Sequence, residues 1–233
     1  MTGEYGLSFV APVHMRKHET ALVVIDMQYN DAAPDQGWNL ALEKLAPGST
    51  DYFNRRNEGT VIPSIRQLLD YFRANKLDVI YFRVGSQFRD LRDMPERYRR
   101  LVRKMEQESG VQDILWAGNS TFAIRHELAP LPEETVLNKT TWSAFNSSAI
   151  ESVLQSAGIR NLVLTGVATN GCVEITARDA ADRGYGCVIV DQATADYDQA
   201  AQDAALSACY YTYGRIARSP ADVIGALESE AII

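Results

Sequence analysis

The chain has 233 residues and a formal net charge of −7, with 46% apolar and 23% charged residues. This length fits one domain better than two, so we expect residues 1–233 to form a single globular unit. The acidic balance argues against a nucleic-acid partner, and no apolar stretch reaches the roughly 20 residues that span a bilayer. Because the N-terminus has no uninterrupted apolar run of secretory type, we expect a cytoplasmic location.

Short apolar runs along the chain predict the strands of a sheet. They cover residues 21–25, 78–84, 135–139, 161–167 and 186–191, with a candidate sixth run at 215–218. Between them, apolar residues at helical spacing or alanine-rich stretches predict helices over 61–74, 147–157, 174–183, 200–211 and 221–228. This alternation predicts a doubly wound α/β fold with a parallel sheet covered on both faces.

Two stretches do not fit the alternation of strand and helix. Residues 32–57 are polar and rich in turn-forming residues, which predicts a long functional loop, either a lid or an interface arm. Residues 88–118 insert a charged helical region before the third strand.

Of the three cysteines, Cys172 alone has the setting of a reactive thiol. Cys187 lies in a strand run and Cys209 in a helical stretch, which indicates core positions, whereas Cys172 follows a strand end and a glycine turn. Asp26 and Lys139 also stand at strand ends, and in doubly wound folds ligands bind outside the carboxyl ends of the strands. The sequence therefore predicts that these three side chains converge at one rim of the sheet.

These three residue types support nucleophilic catalysis. A free thiol has a pKa near 8.5, which we expect the first turn of a helix and the Lys139 ammonium to lower. Asp26 can accept the thiol proton and pass it to a leaving amine. Backbone N–H groups of Ala168 and Cys172 are candidates for an oxyanion hole, with glycines at 166 and 171 allowing close approach of the substrate.

Non-catalytic alternatives exist for this set of residues. Singly, an aspartate at a strand end is often a cap, a lysine is usually solvated, and a buried cysteine is usually core. A catalytically silent binding subunit would keep the fold, but it would not need all three groups together. A nucleotide-binding domain is disfavoured because no GxGxxG motif follows the first strand.

Three motifs resemble those of the isochorismatase-like cysteine hydrolases. They are Ala-Leu-Val-Val-Ile-Asp-Met-Gln at 21–28, Lys139 with Ser-Ala-Phe at 143–145, and Gly-Val-Ala-Thr-Asn-Gly-Cys-Val at 166–173. The resemblance extends over about residues 19–224. It implies a six-stranded sheet in a three-layer α/β/α arrangement, an Asp26–Lys139–Cys172 triad, a cis peptide before Ala168, and a homodimer or homotetramer.

Departures within that family narrow the expected reaction. Cys172 favours cleavage of an amide or ureide over a vinyl ether. Nicotinamidases carry metal-binding histidines after the second strand, but here the histidines are His14, His18 and His126. We therefore expect no metal and no cofactor, and a small-molecule substrate of triuret or biuret type, cleaved at a C–N bond through a thioester. The alternatives are a ureidoacrylate or N-carbamoyl amino acid amidohydrolase and a nicotinamidase-like amidase.

A pocket for such flat substrates needs an aromatic wall and several hydrogen-bonding partners. The candidates that flank the triad or follow the second strand are Tyr29, Asn30, Arg83, Gln87, Trp142, Phe145 and Asn170. An inward Arg83 would bind a carboxylate, as ureidoacrylate requires, whereas an outward Arg83 favours an uncharged ureide. Trp142 is equally suited to core packing.

Overall fold

The computed structural model describes residues 8–233, which contain a six-stranded parallel sheet. Its strands are β1 (Thr20–Ile25), β2 (Val79–Val84), β3 (Thr135–Lys139), β4 (Asn161–Val167), β5 (Gly186–Ala195) and β6 (Arg215–Ala217). Their order is β3-β2-β1-β4-β5-β6, and all neighbours pair in parallel. The chain winds outwards from β1 in both directions, which confirms the doubly wound fold and puts the topological switch point between β1 and β4.

Helices cover both faces of this sheet. They are α1 (Tyr29–Ala32), α2 (Gly37–Leu45), α3 (Asp51–Arg56), α4 (Ile62–Ala74), α5 (Glu96–Ser109), α6 (Ile150–Ala157), α7 (Glu174–Asp182), α8 (Gln199–Thr212) and α9 (Pro220–Ser229). In the part of the chain that the structure describes, none of them is long and apolar enough to cross a membrane.

The core consists of one apolar layer on each face of the sheet. Leu22 and Val24 of β1 belong to the layer beneath α4 and α9, whereas Val23 and Ile25 belong to the layer beneath α6, α7 and α8. This split follows from the period of two along a strand, which sends successive side chains to opposite faces. Every residue of β1 is buried, as is usual for a central strand of a parallel sheet.

A third apolar cluster lies beyond the carboxyl end of β2. Val84, the last residue of β2, packs there with Ala41 of α2, with Val102 and Met105 of α5, and with Leu115. The charged insertion at 88–118 therefore covers the rim of the sheet where the predicted site lies.

The prediction of an irregular loop at 32–57 was wrong. This stretch contains α2 and α3, and a π-helical turn at Asn57–Val61 joins α3 directly to α4. Gly37 begins α2 with a positive φ of 49°, and Gly48 (φ 83°) lies between α2 and α3. The turn-forming residues thus mark the boundaries of short helices rather than a continuous loop.

The C-terminal residues pair within the chain. Val13 and Ile233 exchange two backbone hydrogen bonds of 3.0 Å, and the N–H of Met15 donates to the carbonyl of Ala231 at 3.0 Å. The backbone of this tail is therefore held by residues 13–15, although the side chain of Ile232 remains 53% exposed.

Candidate active site

A buried ion pair joins the ends of β1 and β3. The Lys139 ammonium donates to Asp26 Oδ2 at 2.7 Å, with both side chains almost fully buried, and to the Thr141 carbonyl at 3.2 Å. Asp26 follows the last residue of β1 with a φ of 52°, a backbone conformation that non-glycine residues rarely adopt. Its other oxygen, Oδ1, has no hydrogen-bond partner among residues 8–233. One carboxylate oxygen is therefore held by Lys139 and the other is available for proton transfer.

Cys172 lies in the π-helical turn Thr169–Val173, between β4 and α7. Its side chain lines the same cavity as Asp26, and both Asp26 and Lys139 are near enough for their charges to act on the thiol. The structure thus brings together the three residues predicted to converge, from the ends of three different strands.

The pKa of the Cys172 thiol is shifted in the direction opposite to the one expected from the sequence. Burial, together with the negative charge of Asp26, raises the pKa of the Cys172 thiol well above its ordinary value and outweighs the opposing effect of Lys139. We had expected a lowered pKa from the helix end and the ammonium. The resting cysteine is therefore a thiol, and it would have to lose its proton to act as a nucleophile.

The partners of Cys172 are suited to take that proton. Burial raises the pKa of Asp26 above its ordinary value, although Lys139 opposes the shift, so Asp26 is a stronger base than an exposed carboxylate. Burial by itself lowers the pKa of Lys139, but the charges of Asp26 and Cys172 more than offset this and leave it raised. Lys139 therefore stays positively charged whether the negative charge resides on oxygen or on sulfur.

The turn that carries Cys172 is held by β5 and α8. Asp196, just after β5, accepts hydrogen bonds from the N–H of Asn170 at 2.6 Å and of Tyr197 at 2.8 Å. The hydroxyl of Thr169 donates to Gln202 Oε1 of α8 at 2.7 Å. These three contacts fix the backbone on the N-terminal side of the cysteine.

The peptide bond between Val167 and Ala168 is cis, as the resemblance implied. Gly166 has a φ of 104°, and a Cβ there would lie 2.0 Å from the carbonyl oxygen of Ile25. Glycine is thus required at 166 for the close approach of β4 to β1. Gly166 does not line the cavity beside Cys172, whereas Gly171 does. At Gly171 the nearest atom to an added Cβ is 3.9 Å away.

The cavity at this site has a volume of about 160 Å³, below the range of pockets for drug-sized ligands. Its walls are aromatic and aliphatic, with the turn at 168–172 on one side. The side chains that form these walls are Trp38, Phe53, Val84, Leu115, Trp142 and Tyr197. Such a space suits a small, flat substrate.

Two of the predicted substrate contacts, Trp142 and Asn170, line this cavity. Tyr29, Asn30 and Phe145 are not among its lining residues. The Tyr29 hydroxyl lies 2.9 Å from His126 Nδ1, Asn30 Oδ1 accepts from a backbone N–H at 3.4 Å, and Phe145 packs against Tyr185. Closeness in sequence to Asp26 or Lys139 did not determine which way these side chains point.

The structure also places Arg83 and Gln87 outside the cavity lining. Arg83 Nε donates to Asn138 Oδ1 at 3.0 Å, and its guanidinium lies 4.8 Å from the centre of the Phe122 ring. Gln87 is exposed. Arg83 is therefore not in position to bind a substrate carboxylate in this cavity.

Sequence reasoning missed several residues of the cavity wall. Trp38 and Phe53 come from the stretch read as a loop, and Tyr197 follows the carboxyl end of β5. Asp31, five residues after Asp26, also lines the cavity. For Tyr197 and Asp31 the position shortly after a strand end was a usable signal, by the same rule that identified Asp26 and Lys139.

A larger depression, of about 650 Å³, lies at the other end of the sheet. Asn161 and Gly186, the first residues of β4 and β5, line it, and none of Asp26, Lys139 and Cys172 does. Within residues 8–233 no three His, Cys, Asp or Glu side chains are grouped so that they could hold a metal ion.

The fold and this site define a class of doubly wound α/β protein that carries an aspartate, a lysine and a cysteine together at the carboxyl ends of its strands. Residues 20–219 match the family model described as the isochorismatase domain, and the chain belongs to that family. It is 34% identical to a ureidoacrylate amidohydrolase of Stutzerimonas stutzeri and 35% identical to one of Pseudomonas syringae pv. syringae. Each match covers 84% of this chain and 77% or 78% of the relative.

A solved structure, described as a cysteine hydrolase from Pseudomonas syringae pv. phaseolicola, superimposes with a TM-score of 0.77. The two are 25% identical, and the match covers 95% of this chain and 98% of the other. The chain is thus an amidohydrolase of the isochorismatase family, a hydrolase that acts on C–N bonds.

Proposed function

We propose that this enzyme hydrolyses a C–N bond of a small, uncharged ureide through a thioester on Cys172, with Asp26 and Lys139 as the other members of a catalytic triad. The observation that carries this proposal is the cavity itself. Cys172 and Asp26 line it, and the described residues supply no basic side chain to its walls.

The reaction begins with transfer of the Cys172 proton to Asp26, as Sγ attacks the substrate carbonyl carbon. Asp26 then protonates the nitrogen, the C–N bond breaks, and an amine or ammonia leaves a thioester behind. Water adds to the thioester after giving a proton to Asp26, the C–S bond breaks, and the sulfur recovers its proton. No redox change occurs, and the net reaction consumes one water.

The charge of Lys139 stabilises each of these steps. During attack the negative charge moves from the carboxylate to sulfur and then to the carbonyl oxygen. We assign the N–H groups of Ala168 and Cys172 to that oxyanion, because both residues line the cavity beside the thiol. A donor of this kind contributes about 3–4 kcal/mol to transition-state stabilisation.

The substrate class follows from charge and size. A carboxylate bound in the cavity would need a cationic partner, and the Lys139 ammonium is already bonded to Asp26. Polyureides such as biuret and triuret are small and neutral, and they carry N–H and C=O groups on their edges. Ureidoacrylate is the second candidate, and the relatives named ureidoacrylate amidohydrolase favour it.

A substrate panel with ammonia release as the readout tests the proposal. We expect turnover of biuret or triuret by the wild type and a loss of at least about a thousandfold in Cys172→Ser. Cys187→Ala, which removes a buried thiol that does not line the cavity, is the matched control and should retain turnover. Full activity of Cys172→Ser would exclude covalent catalysis at this residue. Turnover of ureidoacrylate alone would replace the first substrate class with the second.

A further inference from the structure

The proposed triad makes no use of Asp31, although Asp31 lies in the same cavity. It belongs to the short helix α1, and it lines the cavity together with Asp26 and Cys172. Its Oδ2 is buried and has no partner at hydrogen-bond distance among residues 8–233, although the neighbouring Asn30 side chain is near enough to oppose the rise in the pKa of Asp31. A buried carboxyl oxygen without a partner at a substrate site is an unused recognition group.

The charged and titratable groups around Asp31 determine its state. Asp26 after β1 is negative, Lys139 at the end of β3 is already paired with it, and Cys172 and the Tyr197 hydroxyl are neutral. Burial, followed by repulsion from Asp26, raises the pKa of Asp31 to about 8. At neutral pH the cavity therefore contains a neutral carboxyl group beside the nucleophile.

We propose that Asp31 is a specificity-determining residue whose neutral carboxyl group pairs with a terminal carbamoyl or primary amide group of the substrate through two hydrogen bonds. This inference rests on the proposed function. Cys172 attacks one carbonyl of the substrate, and Asp31 binds the end of the substrate that Cys172 does not attack.

Complementary hydrogen bonding explains the selectivity. A protonated carboxyl presents an O–H donor and a carbonyl acceptor side by side, and a –CO–NH2 group presents the matching acceptor and donor. A substrate carboxylate has no N–H to offer, and it would add a second negative charge near Asp26. A buried polar group left without its partner costs about 1–3 kcal/mol. We therefore expect the amide form of a substrate to be preferred to its acid form.

Two compounds that differ only at that end provide the test. N-carbamoylglycinamide ends in a primary amide, and N-carbamoylglycine ends in a carboxylate. At pH 7 we expect the wild type to prefer the amide by about tenfold in kcat/KM, which corresponds to about 1.4 kcal/mol. Asp31→Asn keeps a donor and an acceptor and should retain the preference, whereas Asp31→Leu should lose it. Asp35→Asn, at an exposed position in the following segment, is the control and should behave as the wild type.

The pH profile supplies a second measurement that does not depend on the leucine variant folding. As the pH rises through about 8, Asp31 ionises and loses its donor, so kcat/KM for the amide should fall in the wild type. Asp31→Asn cannot ionise and should show no fall there. The pKa of Asp26 is also raised, but its ionisation generates the proposed base and would increase kcat/KM. The pKa values of Cys172, Tyr197 and Lys139 are raised above their ordinary values, so their titration lies at higher pH.

Failure of this inference can be separated from failure of the proposed function. An unchanged amide preference in Asp31→Leu, or a loss in Asp31→Asn as large as in Asp31→Leu, overturns the inference while Cys172→Ser still tests the chemistry. If the wild type hydrolyses neither compound, calorimetry on Cys172→Ser decides the question. Tighter binding of the amide, lost when Asp31→Leu is added, supports the inference, and equal or undetectable binding of the two compounds overturns it.

Discussion

At the scale of single residues, the most consequential contact is the pair between Lys139 and Asp26. Its two charges are removed from water at the ends of β1 and β3, and each is tolerated because the other is present. The strand-end rule identified both residues from sequence, because an apolar run that closes on a charged residue is visible without coordinates. The same rule did not reveal the orientation of Arg83, since orientation within a strand end depends on tertiary packing.

Removing one partner of this pair should destabilise the fold. We expect Lys139→Met to lower the free energy of unfolding by about 3–5 kcal/mol, because it leaves the Asp26 carboxylate buried without compensation. Adding Asp26→Asn should recover part of that loss, as measured by urea unfolding at pH 7. Arg100→Ala, which breaks an exposed pair with Glu96, should change stability by less than about 1 kcal/mol. A Lys139→Met protein as stable as the wild type would show that the pair is not buried as described.

Asp31 should also make stability depend on pH. The folded protein holds this proton up to about pH 8, whereas the unfolded chain loses it near the ordinary value of 3.8. Between these two pH values the folded state binds more protons than the unfolded chain does. The free energy of unfolding therefore falls as the pH rises, and it levels off above pH 8. Asp31→Asn lacks this loss, so the Tm of Asp31→Asn minus that of the wild type should grow from pH 5 to pH 8. A constant difference across that range in differential scanning fluorimetry would contradict the assignment.

At the scale of elements, the apolar runs predicted the strands well, and the failures have identifiable causes. The fifth run ended at residue 191 in the sequence, but β5 continues to Ala195. Its register against β4 shifts between Leu164 and Gly166, and the half-buried Asp191 and exposed Gln192 interrupt the apolar pattern there. The extra residues bring Asp196 to the turn that carries Cys172, a contact that no local sequence pattern indicates.

If Cys172 is the nucleophile, as we propose, the contact between Asp196 and the turn that carries it should affect turnover more than stability. Asp196→Asn keeps one acceptor oxygen but loses the second, so the N–H of Asn170 or Tyr197 loses its partner. We expect kcat to fall about tenfold with little change in KM, because the turn that aims Cys172 is loosened.

Asp198→Ala, two residues further on, is the matched control. Asp198 caps α8 by accepting from the N–H of Ala201 at 2.7 Å, so its loss should cost about 1 kcal/mol of stability and leave kcat unchanged. Equal effects of the two variants on kcat would mean that the Asp196 contact does not position the turn.

At the scale of the whole molecule, the three apolar clusters raise the question of how many folding units the chain contains. Two clusters pack on opposite faces of the sheet. The third, the rim cluster, lies beyond the carboxyl end of β2 and is formed with α2, α5 and the insertion at 88–118. Val84 belongs both to β2 and to the rim cluster, and it lines the cavity beside Cys172. Since the rim cluster and the sheet share residues at the site, we expect them to unfold together as the single domain predicted from length.

The three tryptophans, Trp38, Trp116 and Trp142, allow this expectation to be tested. Trp38 packs on the rim cluster, and Trp142 stacks on Tyr98 of α5 with ring centres 5.0 Å apart, so fluorescence reports on the rim. Circular dichroism reports mainly on the sheet and its helices. If the chain is one cooperative unit, the two urea transitions coincide.

Leu164→Ala, in the buried core of β4 and outside the rim cluster, should then shift both midpoints together at a cost of about 2–5 kcal/mol. A fluorescence transition that precedes the dichroism transition, and that Leu164→Ala does not move, would instead make the rim a separate unit. The cavity beside Cys172 would then lie at the boundary between two units.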